Sequence, residues 1–356
     1  MWRRKVCGFL TVIVCAGTLA AQNVVTSPVR VTGRSGITNG NPILYWGCAS
    51  VEARFEGTSL GVKLKDQSGK NYYQVIIDGG APMRFKALSG IKTNMVASNL
   101  TAGVHQVQLF RLTEGDQGWT EFQGFVLDAG KTLQTPPAAP QLKIEFYGDS
   151  ITTGLGDEAT DITNDLNRVF QNNYLAYSAI TARNLGAEIH CIAQQGIGIF
   201  VGWMSPTMEM PDIWNRLAPK TNAALWAFSN WTPNVVVVNL LANDKARLET
   251  LTPIPTEVQI IQYYTNFVGG IRAVYPNAHI VCALGSMDAT AEGSPWPGYI
   301  HQAVVQMADG NMSECIFPYI GVAGHPRIVH HQAMADQLTA HIRSVLYPPG
   351  FLFQIR

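Results

Sequence analysis

A proline cluster, Thr135-Pro136-Pro137-Ala138-Ala139-Pro140, divides the chain into two stretches whose apolar residues recur with different periods. Proline fixes its own φ and keeps the preceding residue out of the helical region, so such a run reads as a stiff linker, placed here at 133–141. Before it, Val51-Glu52-Ala53-Arg54-Phe55 and Gly61-Val62-Lys63-Leu64-Lys65 alternate apolar and charged residues. Tyr73-Gln74-Val75-Ile76-Ile77 runs into the turn signal Asp78-Gly79-Gly80, and His105-Gln106-Val107-Gln108-Leu109 and Phe125-Val126-Leu127 follow. Period two in short runs with glycine between them predicts an antiparallel β-sandwich over 22–132. After the cluster, over 142–356, strand-like and helix-like text alternates. Strands are expected at 143–147, 188–193, 234–240 and 279–284, with a short fifth at 315–318. Val235-Val236-Val237-Val238 is uninterrupted and β-branched, as a strand buried on both faces of a parallel sheet requires. Helices are expected at 173–185, 257–274 and 327–346. The result is a three-layer α/β/α domain, in which active groups gather at the carboxyl ends of the strands.

The first 21 residues have the form of a secretory signal. Arg3, Arg4 and Lys5 precede a short apolar core at 9–14, and Thr18-Leu19-Ala20-Ala21 supplies small residues before Gln22. The uncharged run of 6–21 is shorter than the roughly 20 residues that span a bilayer, so cleavage and export are expected, to the outside or the periplasm, rather than anchoring. Charged residues make up 14% of the chain, against about 25% in ordinary soluble domains, and 25 basic residues balance 25 acidic ones. No basic field exists to attract nucleic acid or anionic lipid, which leaves neutral molecules as the expected partners. Four cysteines follow the signal, Cys48, Cys191, Cys282 and Cys315. None has CxxC spacing, so neither a zinc nor a redox site is expected. One disulfide, Cys282 with Cys315, would form if they lie on neighbouring strands in an oxidising compartment.

The motif with most chemistry is Gly148-Asp149-Ser150, which closes the strand at 143–147. It places a serine hydroxyl on the turn after the first sheet strand, as a nucleophile requires; an ordinary turn serine or helix cap is the competing role. Gly324-His325-Pro326 stands before the last helix, whose proline holds His325 just outside it as a candidate base. Gly196, in Gln195-Gly196-Ile197-Gly198 after the second strand, and Asn243, after the third, supply candidate oxyanion donors together with the Ser150 N–H. Trp296 and Tyr299, between and beyond Pro295 and Pro297, are candidates for stacking on a ring-shaped substrate, with ordinary packing as the alternative. No metal or cofactor is needed for such chemistry.

Ser150, Gly196, Asn243 and His325 resemble the four SGNH (GDSL-type) hydrolase blocks in their usual order. Glu52-Ala53-Arg54-Phe55-Glu56-Gly57-Thr58, His105-Gln106-Val107-Gln108-Leu109, Met210-Pro211-Asp212 and Tyr275-Pro276-Asn277-Ala278 are similar to segments of carbohydrate esterase family 2, which joins a β jelly-roll to an SGNH domain. The resemblance implies a serine esterase that removes acetyl groups from cell-wall polysaccharide of the xylan or glucomannan type. Two alternatives stay open: a carbohydrate-binding protein with impaired catalysis, and an esterase for a non-plant acyl group. The chain departs from the family pattern twice. Leu241 stands where the third block has glycine, and Val322 where an acid usually precedes the histidine by three residues. A Ser–His dyad is therefore expected, with a backbone carbonyl orienting His325. Asp309, Glu314 and Asp336 are the alternative carboxylates.

Overall fold

The computed structural model describes residues 23–321 and 323–347. The proposed signal at 1–21 and Val322 lie outside them. The first half is a two-sheet antiparallel sandwich. In one sheet Ser35–Thr38, Asn41–Leu44, Thr120–Leu127, Leu60–Asp66 and Gly90–Ala97 lie in that order, with Asn23–Val25 also pairing to Thr120–Leu127. In the other, Leu133–Gln134, Ser50–Gly57, Gly103–Arg111, Tyr72–Ile77 and Met83–Lys86 follow one another, and Arg30–Thr32 joins Ser50–Gly57. The period-two residues Val51, Ala53, Phe55, Val62, Leu64, Val107 and Leu109 all point into the space between the sheets.

The second half carries five parallel strands in the order Glu188–Ala193, Lys143–Gly148, Val235–Asn239, His279–Leu284 and Met312–Ile316, with helices on both faces. Winding reverses beside Lys143–Gly148, since the next strand in sequence pairs on one side of it and the third on the other. A crevice opens at such a switch point. Alternate residues of the central strands feed two cores, one on each face: Val236, Val238 and Cys282 enter the first, Val235, Val237 and Cys315 the second. That alternation disposes of the expected disulfide. Cys282 is in register with Glu314, and Cys315 with Ala283, so the thiols face opposite sides of the sheet, and all four cysteines are free and buried. Two short helices, Met210–Ile213 and Ala242–Arg247, and one longer one, Trp296–Met307 with Pro297 in its first turn, were not foreseen. Among the described residues no helix is long and apolar enough to cross a membrane.

The two halves share their cores. Trp46 of the sandwich is fully buried among Tyr147, Ile213 and Val238 and donates its indole N–H to the Leu217 carbonyl at 2.9 Å. Phe110 and Leu112 enter the core on the other face of the parallel sheet. Between them Arg34 of the sandwich, wholly buried, pairs with Glu145 at 2.9 Å and donates to the Tyr147 hydroxyl at 2.8 Å. Burial works against the Glu145 charge, but the adjacent guanidinium outweighs it and holds the carboxyl down at about 2.

Candidate active site

Ser150 stands two residues past the end of its strand, on a turn that admits only a minimal residue at 148. A Cβ on Gly148 would lie 2.0 Å from the Thr152 hydroxyl oxygen. The turn is fastened by Asp149, whose Oδ1 accepts from the Ile151 N–H at 2.9 Å, and by the Leu155 N–H, which donates to the Ser150 carbonyl at 3.1 Å. The Ser150 N–H donates to no group among the described residues.

His325 arrives from the far end of the chain, with Nε2 2.9 Å from Ser150 Oγ. The expectation of a backbone carbonyl behind it is corrected. Asp165 Oδ2 lies 3.1 Å from Nδ1 and also accepts the His325 backbone N–H at 2.7 Å. Oδ1 of the same carboxylate faces Arg327 at 2.6 Å. Burial tends to raise this carboxyl, but the bonds from His325 and Arg327 prevail and leave it below its ordinary value, so it stays ionised. Nδ1 is therefore the protonated nitrogen and Nε2 is free to accept. Close approach needs room: Gly324, at φ +87°, carries no Cβ, and one there would sit 2.4 Å from Asp165 Oδ2. Asp309 is instead paired with Arg272, Glu314 with His301, and Asp336 with Gln332.

Gly196 and Asn243 both line the cleft with Ser150 and His325. The Gly196 N–H, like that of Ser150, donates to no group among the described residues. Asn243 differs: its amide already gives one N–H to the Ile197 carbonyl at 3.0 Å and the other to Asp149 Oδ2 at 3.2 Å. Burial pushes the Asp149 carboxyl up to about 7. The loop after Gly196 wraps the neighbouring Asp244, which accepts from the N–H groups of Ile199, Phe200 and Val201 at 2.8–3.1 Å. Leu241 takes the left-handed conformation, φ +86°, that a glycine adopts without cost, while its side chain is fully buried. The Asn243 loop thus forms despite the departure.

The cleft has a volume of about 520 Å3. Leu155, Leu166, Met204 and Met287 give it apolar walls, and Trp203, 64% exposed, forms part of its rim. The Arg247 guanidinium lies 4.7 Å from the Trp203 ring centre. Trp296 is corrected: it is 3% exposed, packs in the core against Tyr299 and does not reach the cleft. Asp165 and Trp203 are what residue-level inspection missed. Trp203 follows Gly196 by seven residues in the same strand-end loop, which was a usable signal; Asp165 had none beyond its place in the loop after Ser150. Among the described residues no group of three or more His, Cys, Asp or Glu is placed to hold a metal ion.

Residues 31–137 match the family model described as carbohydrate esterase 2 N-terminal. Cellulase/esterase CelE of Acetivibrio thermocellus is 33% identical over 89% of this chain, which spans 39% of that longer protein. An acetylxylan esterase / glucomannan deacetylase of Cellvibrio japonicus is 25% identical, over 89% of each chain. The structure of a family two carbohydrate esterase from Clostridium thermocellum, in complex with cellohexaose, superposes with a TM-score of 0.82 at 32% identity, covering 90% of this chain and 99% of that one. With 32% identity and one fold shared from sandwich through parallel sheet over nearly the whole of that chain, this chain belongs to carbohydrate esterase family 2.

Proposed function

We propose that this protein is an exported serine esterase that removes O-acetyl groups from plant cell-wall polysaccharide of the xylan or glucomannan type. The observation that carries this reading is the hydrogen-bonded series Ser150–His325–Asp165 at the mouth of an apolar-walled cleft. Ser150 Oγ attacks the acetyl carbonyl and His325 Nε2 takes its proton. The imidazolium is held through Nδ1–H by the Asp165 carboxylate, whose charge a backbone carbonyl would not supply. The N–H groups of Ser150 and Gly196 receive the oxyanion, and Asn243 joins them by exchanging its long bond to Asp149. His325 then protonates the departing sugar oxygen, and water repeats the cycle on the acetyl-serine. Similarity to proteins named as acetylxylan esterases and glucomannan deacetylases, and to one solved with cellohexaose, supports the substrate class.

The test is acetate release from acetylated xylan, acetylated glucomannan and an aryl acetate. Wild type is expected to hydrolyse the aryl acetate and at least one polymer, and Ser150→Ala neither. Full activity in Ser150→Ala overturns the nucleophile. Polysaccharide binding by a wild type that releases no acetate points instead to a binding protein.

A further inference from the structure

We propose that Glu114, a residue of the sandwich, is a positioning residue that locks the oxyanion loop and the loop bearing Asp165 into one arrangement. The inference rests on the serine esterase reading for what those loops do, but not for how they are held.

Glu114 is fully buried. Its Oε2 accepts the backbone N–H of Gln195 at 2.5 Å, and its Oε1 accepts from Arg168. Gln195 immediately precedes Gly196, and Arg168 follows Asp165 by three residues. One carboxylate of the sandwich therefore holds the chain next to an oxyanion donor and the chain next to the acid. Asp116 repeats the pattern at the rim, accepting from Arg168 at 2.6 Å and from the Gln195 amide at 3.2 Å. The anchor itself is rigid. The Glu114 carbonyl accepts from Arg111 at 2.9 Å, and that buried guanidinium also donates to the carbonyls of Leu44, at 2.7 Å, and Thr113, at 3.0 Å. Burial raises the Glu114 carboxyl while the Arg168 guanidinium and the Gln195 N–H oppose that rise, so the buried acceptor and the two loops stabilise one another.

The experiment uses the full chain with Glu114→Ala and Glu114→Gln, the second keeping an acceptor for the Gln195 N–H while removing the charge. Misplacing a reacting group by about 1 Å costs about 10²-fold, so kcat on the aryl acetate is expected to fall by roughly 30- to 100-fold in Glu114→Ala, with KM within about threefold. Glu114→Gln is expected to fall between that variant and wild type. Amide hydrogen exchange over 195–198 and 163–168 is expected to speed up by about tenfold or more while the sandwich strands keep their protection. Folded variants with kcat within about twofold of wild type and unchanged exchange in both loops overturn the proposal. So does exchange that rises evenly through the whole protein, which marks a general loss of stability. If Glu114→Ala does not fold, Glu114→Gln decides by the same readouts. A wild type that hydrolyses no ester defeats the esterase reading, and loop exchange then decides the positioning role alone.

Discussion

Asp165 serves His325 with a single oxygen: Oδ2 accepts both the ring and the backbone N–H, while Oδ1 is committed to Arg327. An asparagine here would turn its carbonyl toward Arg327 and its NH2 toward Nδ1, favouring the tautomer whose Nε2 carries the proton. We expect Asp165→Asn to lower kcat by about 10³- to 10⁴-fold with little change in KM, as amide-for-acid replacement does in serine proteases. A kcat within tenfold of wild type on an aryl acetate would show that some other group orients His325. Leu241 poses the opposite question, since its left-handed backbone costs about 1–2 kcal/mol while its side chain is wholly buried. Leu241→Gly relieves the backbone but empties a core site for which large-to-small changes cost about 2–5 kcal/mol. The expected outcome is a lower melting temperature with kcat unchanged, measured by calorimetry and steady-state assay. The proposed nucleophile, base and backbone donors could be singled out because each sits within a few residues of a strand end or helix start. Asp165 was not, because its service depends only on spatial proximity across 160 residues, and the local position that family pattern points to is Val322.

Elements whose environment is uniform were the ones that sequence periodicity located. The strand at Val235–Asn239 is buried along its whole length, and helix Glu257–Val274 begins with a capping box in which Thr256 and Gln259 cap each other. The helix Trp296–Met307 escaped because prolines flank its first residue; one of them occupies the first turn, where proline fits, and Trp296 is buried by that helix rather than freed by a loop. Helix Tyr177–Asn184 shows a different device. Its N-cap, Ala176, has no side-chain acceptor, and the buried His331 of helix Ile328–Leu346 supplies one, Nδ1 accepting the Tyr177 N–H at 3.2 Å. Burial first, then the nearby His325 and His330, push the His331 pKa down to about 3. The unfolded chain therefore binds a proton here that the native protein does not, between about pH 6.5 and about pH 3. Stability must rise with pH across that window and be lost as pH falls through it. Relative to pH 7, His331→Gln should spare about 2–3 kcal/mol of the loss suffered at pH 4.5. Urea midpoints of both proteins at the two pH values check this; parallel losses would mean that His331 is protonated in the native state.

At the scale of the whole molecule, the sandwich contributes side chains to the cores on both faces of the parallel sheet. Trp46 enters one of them and Phe110 and Leu112 the other, and Arg34–Glu145 is an ion pair without solvent. Removing one member of such a pair costs about 3–5 kcal/mol, because the survivor is left charged and dry, whereas replacing both with apolar groups restores much of the loss. Arg34→Met alone should be strongly destabilising, and Arg34→Met with Glu145→Leu less so, a double-mutant cycle readable by urea titration. Residues 141–356 expressed alone should be insoluble or unfolded by circular dichroism, since Trp46 and Arg34 leave their sockets open. A soluble, cooperatively folding fragment would contradict this. The proline cluster divides the chain into two stretches but says nothing of how they meet, because no residue at the interface has a period of its own. The long reach of the site has a kinetic side as well. Ser150 and His325 are 175 residues apart, and Glu114 spans 81 to Gln195. Contacts between such distant parts of a chain form late, after the entropy of closing large loops has been overcome. On dilution from urea, the far-ultraviolet signal should return before esterase turnover does. A ribosome-bound chain that has not yet added residue 325 holds a serine with no base, and so passes through synthesis chemically silent.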